Sequence, residues 1–241
     1  KSCIIMTSDK CYETPSDGHP CIEDDKMGGI DPYSASKGAA EIITSSYKRS
    51  FFNSKKCGIA TTRVGNVIGG GDWAKNRLIP DCIRALLDKE NMSIRNPQSV
   101  RPWQHVMEPL SAILWLSAKM NFEPDKFSQG WNFGPDFLNN NITVDEIVNQ
   151  IFEEWQNNSS QILIEESELY ETKELKLDST KALENLNWKN ILSTKEVISE
   201  TVQWYKEYNS NPENLKRFTS DQILKYVKKA KIQKLSWALN D

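Results

Sequence analysis

Short apolar segments rich in β-branched residues alternate with longer segments of helical periodicity, and this alternation constrains the fold more than any other feature of the chain. Residues 3–8, 58–64 and 130–133 predict strands, and the continuously apolar character of the first is typical of a parallel strand covered on both faces. Helical patterns lie between them. Because neighbouring parallel strands must be joined by a crossover, this order predicts an α/β fold with a mostly parallel sheet.

Capping residues mark the starts of several helices. Asp31 and Pro32 form an N-cap followed by proline at the first helical position, which predicts a helix that runs to about residue 52. Its apolar side is made of Ala39, Ala40, Ile43, Tyr47 and Phe51. Capping boxes at residues 143–146 and 193–196 predict two more helices.

Charge and composition exclude several classes of partner. The 241 residues include 30 Lys and Arg against 33 Asp and Glu, for a net charge of −3, so no global positive field attracts nucleic acid or an anionic membrane. No apolar run approaches the ~20 residues that span a bilayer, and no signal peptide opens the chain. We therefore expect a cytoplasmic protein whose partner is neither nucleic acid nor a membrane.

The cysteines and histidines indicate neither disulfides nor a metal site. There are five cysteines, an odd number, the last of them is Cys82, and no pair has the C-x-x-C spacing. Only two histidines, His19 and His105, are present. We therefore expect reduced thiols and no bound metal.

Tyr33 and Lys37 are the strongest local indication of chemistry. They lie four residues apart near the start of the predicted helix, so both side chains share one helix face. A nearby cation favours the phenolate and lowers a phenol pKa from its ordinary ~10 toward the range of a useful base. The Y-x-x-x-K spacing by itself is common in helices, so coincidence is the alternative.

Polar residues follow the first two predicted strands. Ser8, Asp9 and Lys10 come after the first strand, and Gly65 and Asn66 come after the second. In parallel α/β sheets, ligands bind outside the carboxyl ends of the strands. A hydroxyl, a carboxylate and an amine delivered together at such an end predict a proton-transfer site, with a polar junction between strand and loop as the alternative.

With these elements in this order, the chain resembles the extended short-chain dehydrogenase/reductases from Cys3 to about Tyr226. Six blocks are similar to the CDP-glucose 4,6-dehydratases in particular: residues 65–74 (GNVIGGGDWA), 77–80 (RLIP), 94–97 (IRNP), 101–105 (RPWQH), 131–135 (WNFGP) and 216–223 (KRFTSDQI). The resemblance implies the C-terminal part of a Rossmann-like doubly wound parallel sheet plus a smaller α/β substrate-binding domain. The first would comprise residues 1–67 with 105–134, and the second 68–104 with 135–241.

The resemblance implies an NAD-dependent lyase that removes water from CDP-glucose to give CDP-4-dehydro-6-deoxyglucose, for deoxysugar and O-antigen-type polysaccharide synthesis. Tyr33, aided by Lys37, would take the proton of the sugar 4-hydroxyl, and Ser8 would hydrogen-bond the same oxygen. Asp9 occupies the position of the acid that protonates the departing hydroxyl. Lys10 stands where related TDP-glucose enzymes have a glutamate base, and two roles are open for it: base, or electrostatic stabiliser of the enolate.

The resemblance also implies which residues bind the two small molecules. Tyr33, Lys37 and Val64 would contact NAD. The diphosphate of the substrate needs cations of fixed geometry, which arginine supplies, although a surface ion pair is the alternative for any one arginine. The implied substrate contacts are Asn66, Arg77, Leu78, Ile79, Pro80, Arg95 and Arg101.

One expected element is missing from the sequence: the glycine fingerprint G-x-x-G-x-x-G that binds the dinucleotide in this superfamily. At ~30 residues for each βα unit, we expect roughly 120 residues to precede Cys3 in the intact enzyme. We expect the chain alone to be inactive, and the resemblance implies a homodimer. The alternatives are an epimerase of the same superfamily, which needs no acid at C6, and a binding module made from half an enzyme.

Overall fold

The computed structural model of the protein describes residues 1–52, 57–135, 142–156, 160–165 and 176–239. The strands are β1 (Ser2–Met6), β2 (Gly58–Val64), β3 (Val67–Ile68), β4 (Met92–Ile94), β5 (Val100–Arg101), β6 (Gln104–His105), β7 (Gly130–Phe133), β8 (Ile142–Thr143) and β9 (Ile162–Ile164). The helices are α1 (Pro32–Phe51), α2 (Leu78–Asp88), α3 (Met107–Phe122), α4 (Pro124–Phe127), α5 (Val144–Trp155), α6 (Thr180–Leu186), α7 (Thr194–Ser210), α8 (Leu215–Ile232) and α9 (Ser236–Leu239). A 3₁₀ turn, Asp9–Cys11, follows β1.

Three parallel strands form the main sheet, in the order β1-β2-β7. Ser2 is paired with Gly58, and Thr61 is paired with Gly130. The helix α1 connects β1 to β2, so the α/β fold with a parallel sheet that the alternation predicted is confirmed. The sequence did not indicate β3, β5, β6, β8 and β9, because strands of two or three residues carry no usable periodicity.

The packed face of α1 is not the one that its apolar residues indicate. The buried residues of the helix are Ser34, Gly38 and Glu41. The predicted apolar side is instead exposed or half-buried: Ala39, Ala40, Ile43, Tyr47 and Phe51. Two contacts explain the difference. Gly38 lets the helix lie so close to the 3₁₀ turn that a Cβ there would come within 3.2 Å of the Cys11 carbonyl oxygen, and Glu41 meets a buried arginine, Arg63.

Four hydrophobic clusters lie among the described residues, and the two largest form the cores around the site. The sheet core packs α3, α4 and α6 around β2 and β7, with Trp131, Phe133 and Leu116 fully buried. The second core packs α2, β4, α5 and α7, with Ile83 and Ile147 fully buried. The resemblance assigned α6 to the second domain, whereas α6 packs in the sheet core of the first. The division of the chain into two domains stays a prediction.

Glu108, at the start of α3, is a fully buried carboxylate that joins α3 to the C-terminal helices. One oxygen accepts hydrogen bonds from the amides of Ile191 and Leu192, at 2.9 and 2.8 Å. The other accepts from the Tyr226 hydroxyl at 2.8 Å. Burial raises the pKa of Glu108 to about 7, although the three hydrogen-bond donors and the charge of Lys229 each lower that pKa. The folded protein therefore favours the protonated acid.

Replacing Glu108 with glutamine is expected to make the free energy of unfolding less dependent on pH between pH 4.5 and 7.5. A raised folded-state pKa means that the stabilising contribution of Glu108 is fully present below its unfolded pKa and is lost as the pH rises through about 7. At ~1.4 kcal/mol per pKa unit, the loss reaches about 3 kcal/mol. Denaturant unfolding of both proteins across this pH range measures it.

Both proteins must be compared, because His105 responds to pH in the opposite direction. Burial lowers the pKa of His105 to about 4, so its contribution grows as the pH rises. The difference between wild type and Glu108→Gln cancels that effect. A difference that stays constant from pH 4.5 to 7.5 would contradict the assignment.

None of the described helices is long and apolar enough to cross a membrane. The five cysteines are free thiols. Among the described residues, no group of three or more His, Cys, Asp or Glu side chains is arranged to hold a metal ion.

Candidate active site

The carboxyl ends of β1 and β2 lie side by side, because the two strands are parallel neighbours. After β1, the amide of Thr7 still donates to the Thr62 carbonyl at 2.9 Å, and the chain then turns away at Ser8. The Ser8 hydroxyl accepts from the Lys10 amide at 3.2 Å and donates to Asp9 Oδ1 at 2.7 Å. The strand end thus presents a hydroxyl and a carboxyl joined by one hydrogen bond.

Asp9 is a buried carboxyl in this turn, with 5% of its surface exposed. A Cβ placed on Gly65, at the end of β2, would lie 3.8 Å from Asp9 Oδ2, so the carboxyl lies against that glycine. Burial raises the pKa of Asp9 above its ordinary value, although Lys10, Ser8 and Arg101 each lower it. A carboxyl that stays protonated at higher pH is suited to donate a proton.

Tyr33 and Lys37 project from the first two turns of α1. The Asp31 side chain caps the helix, accepting from the Ser34 amide at 3.0 Å, so the predicted N-cap is confirmed. The Tyr33 side chain is 55% exposed, and Lys37 Nζ lies 5.5 Å from the centre of its ring. The phenol and the ammonium therefore occupy one side of the helix start, as their spacing predicted.

A cavity of about 790 Å³ opens at these strand ends, a size typical of small-molecule sites. Eleven of the residues that the sequence analysis selected line it: Ser8, Asp9, Lys10, Tyr33, Asn66, Arg77, Leu78, Ile79, Pro80, Arg95 and Arg101. Lys37 is not one of the lining residues, and its ammonium lies over the Tyr33 ring. Val64 is buried in the sheet core, so a contact between its side chain and a cofactor stays a prediction without support from this geometry.

Three arginines give the cavity a cationic side. Arg101 is 8% exposed and lies close enough to Asp9 to lower its pKa. Arg77 is exposed, with Asp72 at 3.9 Å, and Arg95 follows β4 on the surface of the cavity. Buried arginine beside an open cavity is suited to bind an anion, because its fork of donors is fixed in place.

The cavity also has lining residues that sequence reasoning missed. Tyr205 on α7 and Glu165 after β9 both line it. Tyr205 donates its hydroxyl to the Asp72 carbonyl at 2.7 Å, which ties α7 to the cavity wall. Glu165 follows a three-residue strand, which was too short to be recognised in the sequence. Tyr205 lies on a recognised helix, but no sequence pattern pointed from that helix to the site.

His105 does not take part in this site. It is 4% exposed, its Nδ1 accepts from the Met107 amide at 3.3 Å, and burial lowers its pKa to about 4. A buried, hydrogen-bonded histidine of this kind has a structural role.

Comparison with known proteins decides the family. A sequence model of the GDP-mannose 4,6 dehydratase family matches residues 2–201. The chain belongs to that family. Five of the six blocks that resembled CDP-glucose 4,6-dehydratases lie inside the matched range.

Two curated relatives extend the comparison. A CDP-glucose 4,6-dehydratase of Salmonella typhimurium is 43% identical over 213 residues, which are 86% of this chain and 59% of that protein. A dTDP-glucose 4,6-dehydratase of Xanthomonas campestris is 24% identical over 209 residues, covering 84% and 57% respectively. The chain thus spans less than two thirds of the length of these relatives.

Solved structures of sugar-nucleotide enzymes share the fold. A UDP-glucose 4-epimerase of Thermotoga maritima, solved with UDP-glucose, has a TM-score of 0.73 at 19% identity, covering 87% of this chain and 65% of that one. A dTDP-glucose 4,6-dehydratase of Bacillus anthracis, solved with NAD, has a TM-score of 0.68 at 21% identity, covering 89% and 64%. The Rossmann-like α/β fold that the sequence implied is therefore confirmed.

Proposed function

We propose that this chain carries the proton-transfer and sugar-nucleotide-binding residues of an NAD-dependent CDP-glucose 4,6-dehydratase. One observation supports the proposal most strongly: Ser8, Asp9, Lys10 and Tyr33 line the same cavity as Arg101. Proton-transfer groups and a buried cation in one cavity suit a hexose joined to a diphosphate. The 43% identity to a CDP-glucose 4,6-dehydratase supports the choice of nucleotide.

Tyr33 is the base for the sugar 4-hydroxyl in this proposal. Its phenolate takes the proton of that hydroxyl, and the Lys37 ammonium beside the ring stabilises the negative charge. Ser8 hydrogen-bonds the same oxygen and orients it. Oxidation at C4 then acidifies the hydrogen on C5, which prepares the loss of water across C5 and C6.

Asp9 is the acid that protonates the departing 6-hydroxyl. Its burial and its raised pKa support that role. Lys10 lines the same cavity with its side chain half-buried. It is either the base that removes the C5 proton or the cation that stabilises the enolate, and both roles place it beside Asp9.

The described residues fit one side of NAD. Tyr33 supplies a partly exposed hydroxyl at the cavity and Lys37 a cation over its ring, and they would hold the nicotinamide side. NAD bound there would supply the hydride chemistry: an acceptor for the hydride of C4 and a donor for C6. The sequence has no glycine fingerprint for the pyrophosphate, so we propose that residues outside this chain complete that end, and that this chain alone does not turn over.

Replacing Arg101 with glutamine is expected to weaken CDP-glucose binding by about 10–100-fold. Hydrogen bonds to charged groups contribute about 1.5–3 kcal/mol, and ~1.4 kcal/mol corresponds to tenfold in affinity. Isothermal calorimetry of CDP-glucose with each protein measures the change. Arg49→Gln, an exposed position on α1 away from the cavity, is the matched control, and equal affinities for all three proteins would remove Arg101 from the diphosphate site.

Product mass tests the reaction itself. The chain is supplied with the N-terminal part of the Salmonella typhimurium relative, NAD and CDP-glucose, and the product is weighed. Dehydration removes one water from the sugar, whereas 4-epimerisation, the second candidate, leaves the mass unchanged. An unchanged mass with a changed configuration at C4 would replace dehydratase by epimerase, and no change of any kind would support a binding module.

A further inference from the structure

A buried ion pair, Glu41 with Arg63, links the helix of Tyr33 and Lys37 to both strands that end at the cavity. The Glu41 carboxylate accepts from Arg63 Nε at 3.0 Å on one oxygen and from Arg63 Nη2 at 2.9 Å on the other. The two side chains are 5% and 6% exposed. This is a bidentate pair in the protein interior, where each partner fixes the plane of the other.

The same carboxylate also holds the two strands through hydroxyl groups. Thr7, the residue before Ser8, donates its hydroxyl to Glu41 Oε1 at 2.6 Å. Thr61 on β2 donates to Glu41 Oε2 at 2.6 Å. Each carboxylate oxygen therefore has two donors, and the four bonds come from Thr7, directly after β1, and from two residues of β2.

The guanidinium of Arg63 extends the network to the third strand. Its Nη1 donates to the Tyr12 hydroxyl at 2.6 Å and to the Glu23 carbonyl at 2.8 Å. Tyr12 in turn donates to Asn132 Oδ1 on β7 at 2.7 Å. Although burial raises the pKa of Glu41, the bonds from Arg63 and the threonines bring it below its ordinary value, so the pair stays charged.

Glu41 lies on α1 four residues after Lys37 and eight after Tyr33, while Thr7 immediately precedes Ser8 and Asp9. Movement of the helix relative to the strand end would have to break the bond from Thr7 or the fork from Arg63. We propose that Glu41 and Arg63 are positioning residues that set the distance between the Tyr33–Lys37 pair and the Ser8–Asp9 pair. The inference rests on the proposed function for its kinetic consequence.

The double variant Glu41→Gln with Arg63→Gln tests the inference. Removing one partner alone leaves an uncompensated buried charge and risks unfolding, whereas the double variant leaves none. We expect kcat of the reconstituted enzyme to fall by about 10²-fold, since misplacement by ~1 Å has that effect, while the Kd for CDP-glucose stays within about twofold. Glu200→Gln, a buried carboxylate outside the site, is the control for general loss of stability.

Glu41→Asp separates position from charge. The shorter side chain keeps the charge but cannot reach all four donors at once, so a positioning role predicts that kcat falls with aspartate also. Full activity in Glu41→Asp, or equal losses of kcat in the double variant and in Glu200→Gln at matched melting temperature, would overturn the proposal.

Amide hydrogen exchange tests whether the Glu41–Arg63 pair holds α1 against the strand ends, and it does not depend on turnover. The Thr7 and Lys10 amides, bonded to Thr62 and Ser8, are expected to exchange about tenfold faster in the double variant, because local opening becomes easier. The Ser34 amide, held by Asp31 within α1, is expected to be unchanged. If the wild type shows no turnover but the exchange pattern is as expected, the proposed function fails while the positioning role of Glu41 and Arg63 stands. Unchanged exchange at Thr7 and Lys10 overturns that positioning role itself.

Discussion

Replacing Tyr33 with phenylalanine is expected to lower kcat of the reconstituted enzyme by about 10²–10⁴-fold, the usual contribution of a positioned acid or base. The substitution removes only the hydroxyl, and the ring keeps its place above Lys37. Affinity for CDP-glucose is expected to stay within about twofold, because in the proposed function the arginines, and not the Tyr33 hydroxyl, bind the diphosphate. Steady-state kinetics together with calorimetry separate the two effects.

Tyr47→Phe is the matched control. Tyr47 lies on the same helix, is 57% exposed, and contacts Phe51 rather than the cavity. Its loss of a hydroxyl is expected to leave kcat unchanged. If the two variants behave alike, the proton acceptor at the 4-hydroxyl is another group, and the central assignment of the site is wrong.

Replacing Asp9 with asparagine is expected to lower product formation by a similar factor, about 10²–10⁴-fold, but at a later step. Asparagine keeps the shape of the side chain and can still accept from the Ser8 hydroxyl, yet it has no proton to give to the departing 6-hydroxyl. Removal of the C5 proton does not require Asp9. Substrate recovered from heavy water is therefore expected to carry deuterium at C5, detected by NMR or mass spectrometry.

Asp17→Asn is the comparison for this prediction, because Asp17 is an exposed carboxylate bonded to His19 outside the cavity. The pH dependence gives a second check. The raised pKa of Asp9 keeps the acid protonated above its ordinary range, so product formation is expected to decline as the pH rises and Asp9 ionises. Product at the normal rate from Asp9→Asn, or loss of C5 exchange as well, would contradict the role of acid.

The convergence of the site could be predicted because the topology of a parallel sheet dictates it. Strand β1 was recognisable as an apolar run and β2 as a buried one, and neighbouring parallel strands end at one edge, so Ser8, Asp9 and Asn66 had to meet there. The expectation that β1 is covered on both faces was wrong, because Cys3 and Met6 are exposed. Tyr33 followed from its place at the capped start of α1. The capping boxes at Thr143 and Ser193 also formed as predicted, since their interactions are local in sequence.

The orientation of α1 could not be predicted from hydrophobic periodicity. The helix packs through Gly38 and Glu41, and the reason lies in Arg63 on β2, more than twenty residues away. A buried charge pair reverses the pattern on which periodicity arguments depend. The contact of Val64 with NAD, which came from the resemblance alone, stays a prediction, and the side chain is buried in the sheet core.

The cavity lies between two independently packed cores. Its proton-transfer wall follows the strands of the sheet, whereas Ile79, Ile94 and Tyr205 on the opposite wall belong to the second core. Substitutions in that second core can reshape this wall of the cavity and leave Ser8, Asp9 and Tyr33 undisturbed. The two walls therefore offer protein engineers surfaces that can be redesigned separately.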